Sequence, residues 1–431
     1  MTQPRLLNHY IHPHYLSGTI IEARLNGVSV GEVCDVRRHW RENEVLARAL
    51  VVGFRGDMAI LSLMGNAKGL SRESVLIPTG GALTVRLHDG VLGSVLDSNG
   101  ICIARLSEQK TSIQADRWCA LDAAPPTFEK RVSIRQKFHS GIRVVDALMT
   151  CGVGQRLGIF ASAGAGKTSF VNMLIEHATA EIFVIGLIGE RGREVTEFVD
   201  ALKHSPRRSR CVVVYATSDA SSVDRRNAAL LATTVAEYYR DRGSQVVLLQ
   251  DSLTRYARAL RDVALAAGEP PARRGYPASV FEALPRLLER PGVTTDGSIT
   301  AFYTILLESE DEADPIAEEI RSILDGHIYL SRKLASKNHY PAVDVLRSLS
   351  RVASQVCDAT QLRSASSIRE KLSRIEELQL MLDMGEYRVG ENTQNDRLME
   401  QKDALFSWLR QMPDERSNEV VTLETMHALA E

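Results

Sequence analysis

Residues 161–168 read Ala-Ser-Ala-Gly-Ala-Gly-Lys-Thr and follow the apolar run Leu157-Gly158-Ile159-Phe160. A loop of small residues after a strand can curl its backbone N–H groups around a phosphate, so a nucleoside triphosphate is the first ligand to consider. Ser162, Ala163, Gly164, Ala165 and Gly166 form the cradle. Lys167 offers a point charge to the β- and γ-oxygens, and the Thr168 hydroxyl offers a Mg²⁺ ligand. The helix predicted from Ser169 onward turns its positive end towards the phosphates. The pattern G-x-x-x-x-G-K-[ST] asks for Gly at 161, and this chain has Ala161.

Two acidic positions could complete the chemistry. Glu190 lies 23 residues after Lys167, at the end of the apolar run 182–188. A carboxylate at the carboxyl end of a strand can orient or deprotonate an attacking water. It can equally be a helix-capping or ion-paired Glu beside Arg191 and Arg193, and spacing does not separate the two. Asp251 ends the apolar run 246–250, 84 residues after Lys167. An apolar strand ending in Asp can hold Mg²⁺ through its waters. Tyr340, in His339-Tyr340-Pro341, offers a ring face to a base, although packing is the commoner role of a lone Tyr.

These residues need elements to position them. Short apolar runs at 18–23, 28–33, 45–52 and 58–63, with turn signals at Asn26-Gly27 and Gly56-Asp57, predict a small β-barrel or sandwich. Pro78-Thr79-Gly80-Gly81 reads as a linker. From Leu83 to about Tyr340, apolar runs at 156–160, 182–188, 211–215, 246–250 and 299–306 alternate with helical stretches such as 225–242. That alternation predicts a doubly wound α/β domain with buried parallel strands. The last 80 or so residues lack strand signals. Ile368, Leu372, Ile375, Leu378 and Leu382 share a helical face, as do Leu398, Leu405, Trp408 and Leu409, so a small helical domain is expected. The division is thus residues 1–82, 83–346 and 347–431.

Composition narrows the class. The 431 residues are 44% hydrophobic and 25% charged, with a formal net charge of −2. No global field points to nucleic acid or to a membrane surface. Six scattered cysteines show no C-x-x-C pair and read as thiols of a reducing cytoplasm. The N-terminus, Met1-Thr2-Gln3-Pro4-Arg5, leads into polar sequence rather than an apolar signal core. The longest apolar run falls short of the roughly 20 residues of a membrane helix, so membrane association is expected to be peripheral.

The motifs together resemble one family. Ile185-Gly186-Leu187-Ile188-Gly189-Glu190-Arg191-Gly192-Arg193-Glu194-Val195 is similar to the catalytic-glutamate segment of rotary ATPase subunits. The stretches Gly275-Tyr276-Pro277-Ala278-Ser279-Val280-Phe281 and Leu284-Pro285-Arg286-Leu287-Leu288-Glu289-Arg290-Pro291-Gly292 resemble the protein-export branch. That branch comprises the flagellar and the type III secretion (injectisome) ATPases. The stretches 324–332 and 340–344 fit it too, and 160–164 with 385–392 favour the injectisome group. Ala161 is typical of the branch. The resemblance implies a RecA-like ATPase core, an N-terminal β-barrel and a C-terminal helical domain, with ATP and Mg²⁺ as ligands. By position it makes Lys167 and Thr168 binders of phosphates and metal, and Glu190 the general base or water positioner. Arg191 stands beside the γ-phosphate, Asp251 anchors the metal shell through water, and Tyr340 stacks on adenine. Arg351, whose local sequence suggests no more than an exposed helical Arg, matches the arginine finger that reaches a neighbouring copy.

Because Glu190 and Arg351 occur in one chain, the resemblance implies a homohexameric ring with equivalent interface sites. It also implies partners: a coiled-coil central stalk protein, a peripheral stator or regulator, the export gate, and chaperone–effector complexes. The expected place is the cytoplasmic side of the bacterial inner membrane, held peripherally. Two competitors share the core. A catalytic subunit of a proton-translocating rotary ATP synthase is disfavoured by 275–292 and by the short C-terminal domain. A hexameric single-strand RNA motor needs a basic, aromatic-studded N-terminal surface. Residues 1–80 hold Phe54 as their only Phe, with Trp40, Tyr10 and Tyr15, and no nucleic-acid partner is expected.

Overall fold

The computed structural model describes residues 10–108, 116–308 and 314–431. The N-terminal pentapeptide read above for a signal core lies outside them. The chain forms two compact units, Met1–Pro126 with Ile182–Arg290, and Thr127–Glu181 with Pro291–Glu431.

The first unit begins with six antiparallel strands, ordered Tyr15–Ser17, Ile20–Ala23, Met58–Met64, Ala47–Arg55, Glu32–Arg37, Val75–Ala82. Ile11 exchanges backbone hydrogen bonds with Leu76, which links the chain before the first strand to the last and closes the barrel. Its interior is Ile21, Val36, Val51, Leu61, Leu63 and Leu76, all buried. The expected strand at 28–33 is displaced: Gly31 takes a left-handed φ of 87°, and the strand starts at Glu32. The expected linker at 78–81 belongs to the strand Val75–Ala82, where Pro78 faces Cys34. Proline is tolerated there because this strand lies at the end of the ladder, where its missing N–H breaks no central pairing.

The rest of the first unit is α/β. Parallel strands Ile182–Glu190, Cys211–Thr217 and Gln245–Asp251 carry nearly continuous buried apolar side chains, as strands covered on both faces require. Helix Ser222–Arg240 covers them with Ala228, Leu231, Ala232, Val235 and Ala236. Its Ser221 cap accepts from the Asp224 N–H. The Asp224 carboxylate in turn accepts from the Gly65 N–H and the Ser98 hydroxyl, at 2.8 and 3.1 Å, and so ties the barrel to the helix start. Below this helix Arg290 is 1% exposed, with its guanidinium on Glu237, Thr234 and the Leu121 carbonyl.

In the second unit, strand Arg156–Ala161 pairs in parallel with Ser298–Leu306 and Gly326–Leu330. Strand Val343–Ser350 runs antiparallel to Gly326–Leu330. It crosses the boundary expected at 346/347, because Val343, Val345 and Ser348 are buried and keep the chain extended. Helices Ala359–Met384, Thr393–Leu409 and Glu419–Ala430 follow. Asp358 caps the first by accepting from the Gln361 N–H, and Gly385 ends it at φ 75°. Ile368, Leu372, Ile375 and Leu378 are buried, as their spacing predicts. All six cysteines are unbridged. Among the described residues no helix is long and apolar enough to cross a membrane.

Candidate functional site

The small-residue loop sits where strand Arg156–Ala161 ends and helix Lys167–His177 begins. Gly164 and Gly166 take left-handed φ values of 80° and 85°, which only glycine adopts without strain. Ala161 is still strand: it pairs with Leu306 and Leu330, and its carbonyl accepts from the Leu307 N–H at 3.0 Å. The first position of the loop therefore has no need of glycine, and the departure from the consensus costs nothing. Ser162, Gly166 and Lys167 are half-buried, and Ala163, Gly164 and Thr168 are exposed. Ala165 is buried, with its N–H donating to Ser162 O at 3.3 Å. The first N–H groups of helix Lys167–His177 have no intrahelical acceptor, so the loop ends in a set of donors that suits an anion.

Tyr340 stands over this loop. A Cβ built on Gly166 would lie 3.0 Å from Tyr340 Cε1, so a side chain there would push the ring edge back by a few tenths of an ångström. Arg351 lies elsewhere. It follows strand Val343–Ser350, and its N–H donates to Asp325 O at 2.9 Å. Asp325 also holds the start of the phosphate-loop strand, through the Arg156 N–H and guanidinium. Because Val343–Ser350 runs antiparallel to its neighbour, Arg351 is at the amino edge of the parallel strands and the loop is at their carboxyl edge. Six residues of strand separate them, about 20 Å. The Arg351 side chain is exposed and rests on the Ser322 and Arg321 carbonyls at 3.5 and 3.4 Å.

In the first unit, the parallel strands bring Glu190 and Asp251 to one carboxyl edge, where Leu187 pairs with Asp251. Glu190 is 5% exposed. Its carboxylate pairs with Arg255 Nη1 at 3.0 Å, and the same guanidinium donates to Gly189 O. Glu190 is thus ion-paired, one of the two expectations, but to Arg255 and not to Arg191 or Arg193. Arg191 is largely exposed and pairs with Glu194 at 3.5 Å, while Arg193 pairs with Glu197. Arg255 is the residue that spacing missed. The only signal for it was its place one turn beyond Asp251, in helix Leu253–Ala266, which Ser252 caps by accepting from the Arg255 N–H. Asp251 is half-buried.

Gly189 makes the turn that presents Glu190. It has φ 69°, beside a register shift between Ile188 and Glu190. A Cβ there would lie 3.0 Å from Arg255 Cδ and 3.4 Å from Arg225 Cδ. Gly189→Ala is expected to lower stability by about 1–3 kcal/mol in urea unfolding and to lower ATP turnover by displacing Arg255 from Glu190. Gly192→Ala, whose nearest neighbour atom is 3.9 Å away, is expected to cost neither.

Comparison with known proteins places the chain in a family. Residues 141–350 match the ATP synthase alpha/beta family nucleotide-binding domain, and 16–80 match that family's beta-barrel domain. Residues 357–428 match the T3SS EscN ATPase C-terminal domain. The SPI-1 type 3 secretion system ATPase of Salmonella typhi is 58% identical over 431 residues, covering 100% of both chains. The assembled ATPase EscN of the enteropathogenic E. coli type III secretion system superposes with a TM-score of 0.88. It is 39% identical over 98% of this chain and 100% of that one. EscN in complex with its central stalk EscO gives 0.85 at 38% identity, over 98% and 100%. The fold is accordingly the RecA-like doubly wound core with an N-terminal β-barrel and a C-terminal helical domain, and neither the rotary synthase nor the RNA motor is needed to account for it. The chain belongs to the type III secretion system ATPases.

Proposed function

We propose that this ATPase hydrolyses ATP at sites completed by neighbouring copies in a homohexameric ring, and that turnover releases and unfolds chaperone-bound proteins for export. The observation that carries the export role is the 58% identity along the whole chain to a type 3 secretion ATPase. Lys167 and the loop Ser162–Ala163–Gly164–Ala165–Gly166 hold the phosphates, and Tyr340 stacks on adenine. Glu190 takes the proton of the attacking water or orients it, while Arg255 holds Glu190 and so fixes where that carboxylate points. Arg191 lies beside the γ-phosphate. By resemblance, Thr168 and, through water, Asp251 would hold a Mg²⁺ ion; a hydroxyl and a strand-end carboxylate are the oxygen donors it prefers. Bound there, Mg²⁺ supplies neutralisation of the phosphate charge.

Arg351 is about 20 Å of strand from the phosphate loop of its own chain, on the opposite strand edge, which supports a role in the site of the next copy. The EscN structures are of an assembled ATPase, one of them with its stalk. A ring of this chain with a coiled-coil stalk in its bore follows by likeness, with the β-barrel meeting a stator and the helical domain meeting chaperone–effector complexes near the export gate. The ring would sit peripherally at the inner face of the inner membrane. ATP turnover per subunit, measured against protein concentration alongside mass, is expected to rise steeply as rings assemble. Turnover per subunit that is the same for monomer and ring would overturn the interface-site reading.

A further inference from the structure

We infer that Gln411, through its buried hydrogen bonds, is a positioning residue that holds Tyr340 over the phosphate loop and so sets the affinity of the site for the base of a nucleotide. The inference rests on the reading that Tyr340 stacks on adenine.

Gln411 follows helix Thr393–Leu409 and is 3% exposed. Its backbone N–H donates to Tyr340 O at 2.9 Å. Its side-chain Nε2 donates to Gly141 O at 2.8 Å and to Glu415 O at 2.7 Å, and its Oε1 accepts from the Arg143 N–H at 2.7 Å. Both amide protons are used, and a buried amide satisfied in this way holds one orientation. The surrounding contacts point the same way. Arg143 donates to the Trp408 and Arg410 carbonyls at 2.9 and 2.8 Å. His177, the last residue of the phosphate-loop helix, donates from Nε2 to Pro413 O at 2.7 Å. Gly141 packs so closely on His177 that a Cβ would come within 2.5 Å. Arg410 Nε donates to His339 Nδ1 at 3.4 Å. Burial and then Arg410 bring the His339 pKa down to about 4, so this ring stays neutral and can accept.

Residues 410–417 therefore touch the phosphate-loop helix at its last residue and, through Tyr340, at its N-cap Gly166. Loss of the Gln411 side-chain bonds loosens the backbone whose N–H holds Tyr340 O. The effect should fall on the base and spare the phosphates, because the Gly164 and Gly166 backbone is set by its own strand and helix.

The test uses the full-length assembled ATPase as wild type, Gln411→Ala, Gln411→Met and Tyr340→Ala. Gln411→Met keeps about the same length but loses both donations and sets no charge against Gly141 O and Glu415 O, and it serves where the alanine variant does not fold. For either Gln411 variant KM for ATP is expected to rise about tenfold, as loss of roughly one hydrogen bond's positioning would give. The kcat should fall by less than about threefold, and inhibition by inorganic tripolyphosphate, which has no base, should not move. Tyr340→Ala should raise KM for ATP in the same way. If Tyr340→Ala weakens ATP and the Gln411 variants do not, the tether is wrong and the adenine reading stands. If the Gln411 variants weaken ATP and tripolyphosphate alike, the role is merely structural and the inference fails. If Tyr340→Ala leaves KM unchanged, the adenine reading fails and the tether with it.

Discussion

Arg351→Ala is expected to reduce ATP turnover by about 10³–10⁵-fold in rings that remain assembled, the range an arginine finger contributes in related NTPases. The protein should fold normally without the side chain. It is exposed and, among the described residues, reaches two backbone carbonyls, at 3.4 and 3.5 Å, so its removal leaves neither of them a buried unpaired group. The backbone of residue 351 stays pinned to Asp325 O in the variant. Nucleotide affinity should change far less than turnover, because the finger acts on charge that develops in the transition state. Arg351→Lys should recover little, since an ammonium lacks the planar fork that spans two phosphate oxygens. The check is steady-state hydrolysis beside a mass measurement of the ring and a nucleotide-binding titration.

Glu190→Gln should lower kcat by about 10²–10⁴-fold, the usual contribution of a positioned general base. The amide keeps the shape and can still accept from Arg255, so the stability cost should be about 1 kcal/mol. ATP binding should persist. Two variants separate placement from chemistry. Glu190→Asp moves the carboxylate back by one methylene, away from Arg255, and should lower kcat while retaining a base. Arg255→Ala leaves Glu190 buried without this partner and should lower both kcat and stability. Single-turnover hydrolysis and urea unfolding of the set distinguish a base held by an ion pair from a structural ion pair.

Much of the site was legible because its chemistry is local in sequence. The phosphate loop needs small residues, Lys and Thr in immediate succession, and the strand ends that carry Glu190 and Asp251 are marked by apolar runs. The barrel interior and the helical stripes were legible from their periodicity, as Ile21, Leu61, Ile368 and Leu372 show by being buried. What escaped depends on contacts far apart in sequence. The Arg255–Glu190 pair joins a helix to a strand 65 residues away, and nothing local separates Arg255 from Arg191 or Arg193 as the partner. Pro78 read as a linker because proline disfavours strands, but the end of a ladder tolerates it. Ala161 read as a departure because the motif does not say which of its glycines needs a left-handed φ; here Gly164 and Gly166 do. Arg351 came from resemblance alone, and its opposition to the phosphate loop follows from the antiparallel direction of strand Val343–Ser350, which no single-sequence pattern reveals.

In the proposed ring each site needs Glu190 from one copy and Arg351 from the next. Mixing the two inactive variants separates this from a site built within one copy. Arg351→Ala and Glu190→Gln, disassembled, combined in equal amounts and reassembled, should recover about a quarter of wild-type turnover, because random head-to-tail mixing makes one interface in four from an intact Glu190 and an intact Arg351. A mixed ring of confirmed mass that is no more active than the average of its two parents would mean that Arg351 does not serve the site of the next copy.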